Sequence, residues 1–407
     1  MELQRSRVVE IAPSSSDRYL QKSHAGTSEI CVRLHAFFGR TESTYFMTAT
    51  PNNSKEPDAP DVSRASRIRA CLIGSAIGDA FAARTEFLKY DEIVRRWPPD
   101  GPQDLDGDPA RVTDDTQMMI AVGDAIVAAL GRPLVPAVVE EELRRTFVTW
   151  LRDPENNRAP GMTCLRSCAG LERGLPWIDS TDANSKGCGA NMRVQPIGLL
   201  PVPIWTRSAL AQFQAAITHG HPTALAASDL TAWVIADLAD GGEPVGLVDR
   251  ALTHVHEQRD VYHHEWLGDL WRKARASSAE EFSRHGWDEC LAVLRRVREG
   301  LARSTPPRDP CDVGGQGWIA EEAFATALYC FLKSPEDGVA VVRRAAATNG
   351  DSDSIACLAG AFAGAHLGMN AWPDYWVRRI EYRDVIEKLA QHVFCAGSAA
   401  RDDKRKT

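Results

Sequence analysis

From Ser63 onward, apolar residues recur at three- and four-residue spacing, and the pattern holds to about residue 396. The opening stretch, RASRIRACLIGSAIGDAFAART, has the helical period together with small residues that allow helices to approach closely. VVEEELRRTFVTWLRD, ALAQFQAAITHG, TALAASDLTAWVIADLA, DECLAVLRRVREGLA, IAEEAFATALYCFLK, GVAVVRRAAATN and SIACLAGAFAGAHLG follow in the same style. Strict alternation, the mark of a half-buried strand, is nearly absent; LLPVPIW is bounded by proline and reads as a loop. The pattern predicts an all-α domain of ten or more helices over residues 63–396. No fixed-period repeat is visible.

Residues 1–62 differ. They mix charges, are rich in Ser, Thr and Pro, and end in the linker-like TATPNNSKEPDAPDVS. ICVRLHAFFGR suits a short strand or helix, and STYFMTA another. The segment reads either as a disordered tail or as an arm that orders on a partner. At the other end, residues 397–407 read as a charged, solvated tail.

Composition narrows the function classes. The chain has 407 residues, 44% of them hydrophobic, enough for a large core. A net charge of -8 argues against a general nucleic-acid binder, which needs a basic face. No apolar run approaches a membrane span, and the N-terminus lacks a secretory signal pattern, so a cytoplasmic location is expected. The ten cysteines are scattered with no C-x-x-C pair, which suits buried free thiols better than disulfides or structural zinc.

Two helix starts stand out. Arg111-Val112-Thr113-Asp114-Asp115-Thr116 precedes the apolar QMMIAVGDAIVAAL. Thr113 is a good N-cap, and acids in a first turn offset the helix dipole, so capping alone explains it. Far downstream, Asn349-Gly350-Asp351-Ser352-Asp353-Ser354 opens IACLAGAFAGAHLG with the same grouping of carboxylates and hydroxyls. Each start heads a helix too apolar for a surface. Together they look like two halves of an oxygen-rich cage, the ligand chemistry that Mg²⁺ or Mn²⁺ prefers. Four carboxylates brought together would repel unless cations neutralised them, which favours two metals.

Glycine-rich segments lie between and around these starts. Gly74-Ser75-Ala76-Ile77-Gly78-Asp79-Ala80-Phe81 leads to Glu86, and Ser185-Lys186-Gly187-Cys188-Gly189-Ala190-Asn191-Met192-Arg193 precedes an apolar run. Thr218-His219-Gly220-His221-Pro222 and Gly317-Trp318-Ile319-Ala320-Glu321-Glu322-Ala323 each open a helix. The order GDA…E, TDDT, GCGANMR, THGHP, GWIAEEA and NGDSDSIA resembles the ADP-ribosylglycohydrolases, of the dinitrogenase-reductase-activating and ADP-ribosyl-acceptor hydrolase type. The resemblance covers about residues 66–370.

It implies a compact orthogonal multi-helix fold with a binuclear Mg²⁺ or Mn²⁺ centre that cleaves ADP-ribose from protein side chains. By motif, it places Thr113, Asp114 and Asp115 on one side of the metals and Asp351, Asp353 and Ser354 on the other. It puts Glu86 near the ribose, and Ser185, Gly187, Cys188 and Gly189 in the loop around the diphosphate and distal ribose, with His219 lining that pocket. Glycine would let backbone N–H groups approach a diphosphate, and a carboxylate could shuttle a proton to or from water. Asp114, Asp115, Asp351 and Asp353 all remain candidates for orienting that water, with Glu86 assisting. The usual G-G-D-[TA]-D-T motif stands here as NGDSDS, which keeps the ligand oxygens.

The expected activity is hydrolysis of mono-ADP-ribosylated protein, with arginine as the favoured linkage. The alternative is an immunity protein that neutralises a cognate ADP-ribosyltransferase toxin, by hydrolysis or with residues 1–62 blocking the toxin. Other features read as structural. The histidines of ALTHVHEQRDVYHHEW lack the H-E-x-x-H spacing and suit an exposed helix or loop better than zinc. Cys164 and Cys168 suit packing, Arg158 and Lys186 suit solvated positions, and Trp372, Tyr375 and Trp376 suit aromatic packing more than adenine binding.

Overall fold

The computed structural model describes residues 62–404 and two short strands, β1 (Tyr19–Gln21) and β2 (Cys31–Arg33). The chain separates into two units, Met1–Asp61 and Val62–Thr407. In the first, β1 and β2 pair antiparallel with Leu20 opposite Val32, so part of ICVRLHAFFGR is a strand. STYFMTA and the remainder of the expected N-terminal arm lie outside the described residues.

The second unit is helical. Its helices of nine residues or more are α1 (Arg64–Ala82), α2 (Asp114–Ala129), α3 (Pro136–Arg152), α4 (Met162–Glu172), α5 (Ile204–Ala216), α6 (Pro222–Ala239), α7 (Leu247–Gln258), α8 (Ala279–Ala302), α9 (Ala320–Lys333), α10 (Gly338–Ala346), α11 (Ser352–Leu367) and α12 (Arg383–Lys404). The last runs past residue 396 into the segment expected to be a tail, because GSAARDDK contains no proline to stop it. Among the described residues, no helix is long and apolar enough to cross a membrane.

Two of these helices are buried on every side. All residues of α1 from Ala70 to Ala82 are buried, as are those of α11 from Ser352 to Ala365. They lie antiparallel and very close. A Cβ on Gly78 would overlap the carbonyl of Ala356, and one on Gly360 the carbonyl of Gly74. Alanine at either position would force the pair apart, at about 1–3 kcal/mol for overpacking. The same register carries the C-terminal end of α1 to the first turn of α11, where the Thr85 and Ser352 hydroxyls lie 3.0 Å apart. The end of one helix thus meets the acidic start of the other.

Several surface expectations fail here. His254 and His263 are buried rather than exposed. His254 stacks on Trp233 and meets the carboxylate of Asp229 at 3.2 Å, and no metal-ligand group forms there among the described residues. Arg158 is not solvated: it donates to Glu381 and to the Val112 carbonyl. Trp372 and Trp376, by contrast, are buried as aromatic packing requires, their ring N–H groups donating to the Ala70 carbonyl and the Asp104 carboxylate, whereas Tyr375 is 46% exposed. The cysteines from Cys71 to Cys395 are all free.

Candidate active site

The acidic start of α2 is held by a carboxylate from another helix. Thr113 caps it from within, its hydroxyl accepting the Asp115 N–H at 3.3 Å. Asp79, fully buried near the end of α1, accepts the N–H groups of Thr113 at 2.9 Å and Thr116 at 3.1 Å, and also the Thr116 hydroxyl. Three of the donors that a helix start leaves unpaired are therefore met, and α2 is fixed to α1. In the sequence, Asp79 stands within Gly78-Asp79-Ala80 with no evident partner. The signal was present, since a carboxylate inside an otherwise apolar helix needs donors from elsewhere.

The start of α11 is built differently. Asp351 occupies the N-cap position, yet its side chain makes no capping bond, so the carboxylate is free for other contacts. Its backbone N–H donates instead to the Gln316 carbonyl at 2.8 Å. Gly350 lets that loop pass, because a Cβ there would overlap the same carbonyl. Glu86, on the turn after α1, completes a tight group: ligand oxygens of Glu86, Asp351 and Asp353 all lie within 4.8 Å of one another. The antiparallel register of α1 and α11 is what brings them together.

Asp114 and Asp115 stand beside this group and are almost fully buried. Burial, then the charges of Asp353 and Asp79, pushes both carboxyl groups well above the usual range. Glu86 is pushed up to about 9 by burial, then by Asp353 and Asp114. Asp79 reaches about 7 by burial and Asp353, even with its bonds to Thr116 and Thr113. Asp351 is likewise raised, first by burial and then by Asp353. Two oxygens of the cluster, Asp115 Oδ2 and Asp353 Oδ1, are buried and accept no hydrogen bond. A buried acceptor left empty costs about 1–3 kcal/mol, and more if charged. Close carboxylates with orphaned oxygens are a donor set suited to a hard divalent cation.

The glycine loop forms a second, adjoining region. The Cys188 N–H donates to the Trp318 carbonyl at 3.2 Å, and Ala320 N–H to the Lys186 carbonyl at 2.9 Å, so the loop is laid against the start of α9. Ser185 and Thr163 share a hydroxyl contact of 3.0 Å. Lys186 is neither solvated nor free: it bridges Glu289 at 2.8 Å and Glu321 at 2.6 Å. The two glycines make room for His219. A Cβ on Gly187 would lie 3.3 Å from its Nε2, and one on Gly189 3.0 Å from its Cε1. His219 is itself buried, its Nδ1 paired with the Thr218 hydroxyl at 2.8 Å. Burial and the nearby Arg193 hold it neutral, with a pKa of about 3. Cys188 is buried, and burial pushes its thiol well up, so it is no nucleophile.

Of the sequence-predicted residues, Glu86, Asp351 and Asp353 are therefore the closest group, with Thr113, Asp114 and Asp115 alongside. Ser354, in the first turn of α11, directs its hydroxyl toward the Met192 sulfur at 3.9 Å. Ser185, Gly187, Cys188, Gly189 and His219 form the loop region.

Comparison with known proteins decides what kind of molecule carries this arrangement. The sequence model of the ADP-ribosylglycohydrolases matches residues 60–403. The chain belongs to the ADP-ribosylglycohydrolase family. Bovine ADP-ribosylhydrolase ARH3 is 26% identical, over 80% of this chain and 92% of that protein. The ADP-ribosyl-[dinitrogen reductase] glycohydrolase of Rhodospirillum rubrum is 25% identical, over 78% and 91%. ADP-ribosylarginine hydrolase Tri1 of Serratia proteamaculans is 23% identical, over 82% and 81%. A solved structure described as an ADP-ribosylglycohydrolase-related protein complex shares the fold at a TM-score of 0.57 and 24% identity, over 82% of this chain and 99% of its own. As a family member the chain is a glycohydrolase enzyme acting on ADP-ribosylated substrates, and the family is metal-dependent.

Proposed function

We propose that this glycohydrolase removes ADP-ribose from modified arginine side chains of proteins, using two Mg²⁺ or Mn²⁺ ions held between the starts of α2 and α11. The carrying observation is the set of buried carboxylates whose outer oxygens, Asp115 Oδ2 and Asp353 Oδ1, have no partner within the protein. Thr113, Asp114 and Asp115 would hold the ions from one side, and Asp351, Asp353 and Ser354 from the other. Bound there, divalent ions supply Lewis acidity toward ribose oxygens and water. Asp79 keeps the α2 start in place through its three hydrogen bonds. Glu86, only partly buried, can exchange a proton at the edge of the cluster. The Ser185–Gly189 loop and His219 would seat the diphosphate and distal ribose. A neutral His219 offers a hydrogen bond there without adding charge.

Arginine is the linkage in the name of the Serratia relative. The same reaction would serve a chain that protects a cell from an ADP-ribosyltransferase toxin. Deleting residues 1–62 separates hydrolytic protection, which persists, from blocking by an arm, which is lost. The direct test of the reaction is release of ADP-ribose from an arginine-modified peptide with and without EDTA. Release is expected to need the metal and to collapse in Asp114→Ala. Metal-independent release, or full activity in that variant, would overturn the mechanism.

A further inference from the structure

Glu86 is followed by a residue with an unusual backbone. Phe87 has φ +63°, a left-handed conformation that bulky residues seldom adopt and that glycine would take without strain. Its ring does not retreat into the core: Phe87 is 65% exposed. It lies against Trp318, 40% exposed, with ring centroids 5.5 Å apart and planes 19° from parallel. Each ring covers one face of the other and leaves apolar surface open. Neither stability nor solubility asks for this, since an inward Phe or a glycine would serve both better.

Where the pair sits gives it a use. Phe87 adjoins Glu86, whose carboxylate belongs to the tight acidic group. Trp318 adjoins Gly317, which packs beside the Cβ of Asp351, and its carbonyl receives the Cys188 N–H. The rings therefore border the junction of the acidic group and the glycine loop, on the acidic side where the glycosidic bond would be cut. A group found there is the acceptor side chain leaving ADP-ribose. Aromatic faces beside a concentration of carboxylates favour a planar cation over a neutral hydroxyl.

We propose that Phe87 and Trp318 form an aromatic surface that receives the guanidinium of the ADP-ribosylated arginine and so sets acceptor specificity. This deepens, and rests on, the arginine-hydrolase reading above. Adenine, the other planar group of the substrate, belongs at the far end of the diphosphate and is an outcome the test separates.

The experiment uses the full chain with Mg²⁺ and compares Phe87→Gly, Trp318→Ala and Trp318→Phe. Phe87→Gly removes the ring while relieving the backbone, and thermal unfolding checks that it folds. On an arginine-modified peptide, kcat/KM is expected to fall about 10-fold in Phe87→Gly and Trp318→Ala, and to recover in Trp318→Phe. The Kd for free ADP-ribose, which lacks the acceptor, should stay within about 2-fold, since a cation–π contact to the acceptor is absent from it. N-methylguanidinium should inhibit the wild type more than either ring-deleted variant. Unchanged kcat/KM, or a parallel loss of ADP-ribose affinity, overturns the aromatic surface while leaving the hydrolase reading intact. A wild type that binds ADP-ribose but releases none from arginine overturns both.

Discussion

The two regions of the site are built on opposite terms. The acidic region is electrostatically unfinished: its carboxyl groups are raised by burial and mutual repulsion, and two buried oxygens accept nothing. The glycine-loop region is nearly self-sufficient. Buried Arg193 bonds Gln214 and Thr218 and lies 4.5 Å over the Phe147 ring, Lys186 has two acidic partners, and His219 is neutral and paired. One region therefore asks for a cation, whereas the other is a shaped wall. Loss of a carboxylate should then cost function more than stability, and a change in the loop should cost stability as well.

The largest effect expected is from Asp353→Asn. It removes a charge that raises Glu86, Asp114, Asp115 and Asp351. ADP-ribose release should fall by more than about 100-fold, the scale of several kcal/mol of lost metal assistance. The metal-free protein should at the same time become more stable, by about 1.4 kcal/mol for each pKa unit of relieved repulsion, as read by denaturant unfolding in EDTA. A variant that loses both activity and stability would break the contrast.

Gly189→Ala probes the wall. The new Cβ would lie 2.8 Å from Cys164 Sγ and 3.0 Å from His219 Cε1, both inside a packed interior. Denaturant unfolding should show a loss of about 1–3 kcal/mol, with weaker ADP-ribose binding in parallel. Unaltered stability would mean that the loop is looser than its contacts indicate.

A further effect is a pH dependence. The folded pKa of His219, about 3, lies below its unfolded value of 6.5. As pH falls below 6.5 the unfolded chain takes up a proton that the folded chain refuses, so this group's contribution declines until about pH 3. Its slope is at most about 1.4 kcal/mol per pH unit. Unfolding measured from pH 7 to pH 4 should fall less steeply in His219→Gln than in the wild type. Equal slopes would place the buried, neutral histidine in doubt.

Much of this was legible in the chain itself. The 3.6-residue period and scarcity of strand patterns gave the helices, and TDDT with NGDSDS marked two acidic starts, each explicable alone as a cap, whose likeness to one another pointed to a shared oxygen-rich cage. Asp79 was visible but unassigned, because its partners lie 34 and 37 residues away and a helical pattern does not say which helix end it will face. His254 and His263 are buried, and the Arg158 side chain nearly so, where the sequence suggests exposure. Polarity predicts solvent for such residues, and only packing shows that Asp229 and Trp233 receive His254, that Glu381 receives Arg158, and that His263 lies edge-on against Trp205 with its ring nitrogens unpaired.

The sequence by itself determined the helical class, the residues able to hold oxygen-seeking ions, and the ordered motifs of the family, because period and side-chain chemistry are local properties. The tertiary structure decided which of these residues meet. Bare glycine surfaces let α1 and α11 approach antiparallel, and that register sets Glu86 beside Asp351 and Asp353. It also decided that Gly187 and Gly189 make room for His219, and that Phe87 and Trp318 share an exposed edge. Contacts between residues far apart in the chain depend on how close two backbones can come, and spacing along one of them does not contain that information.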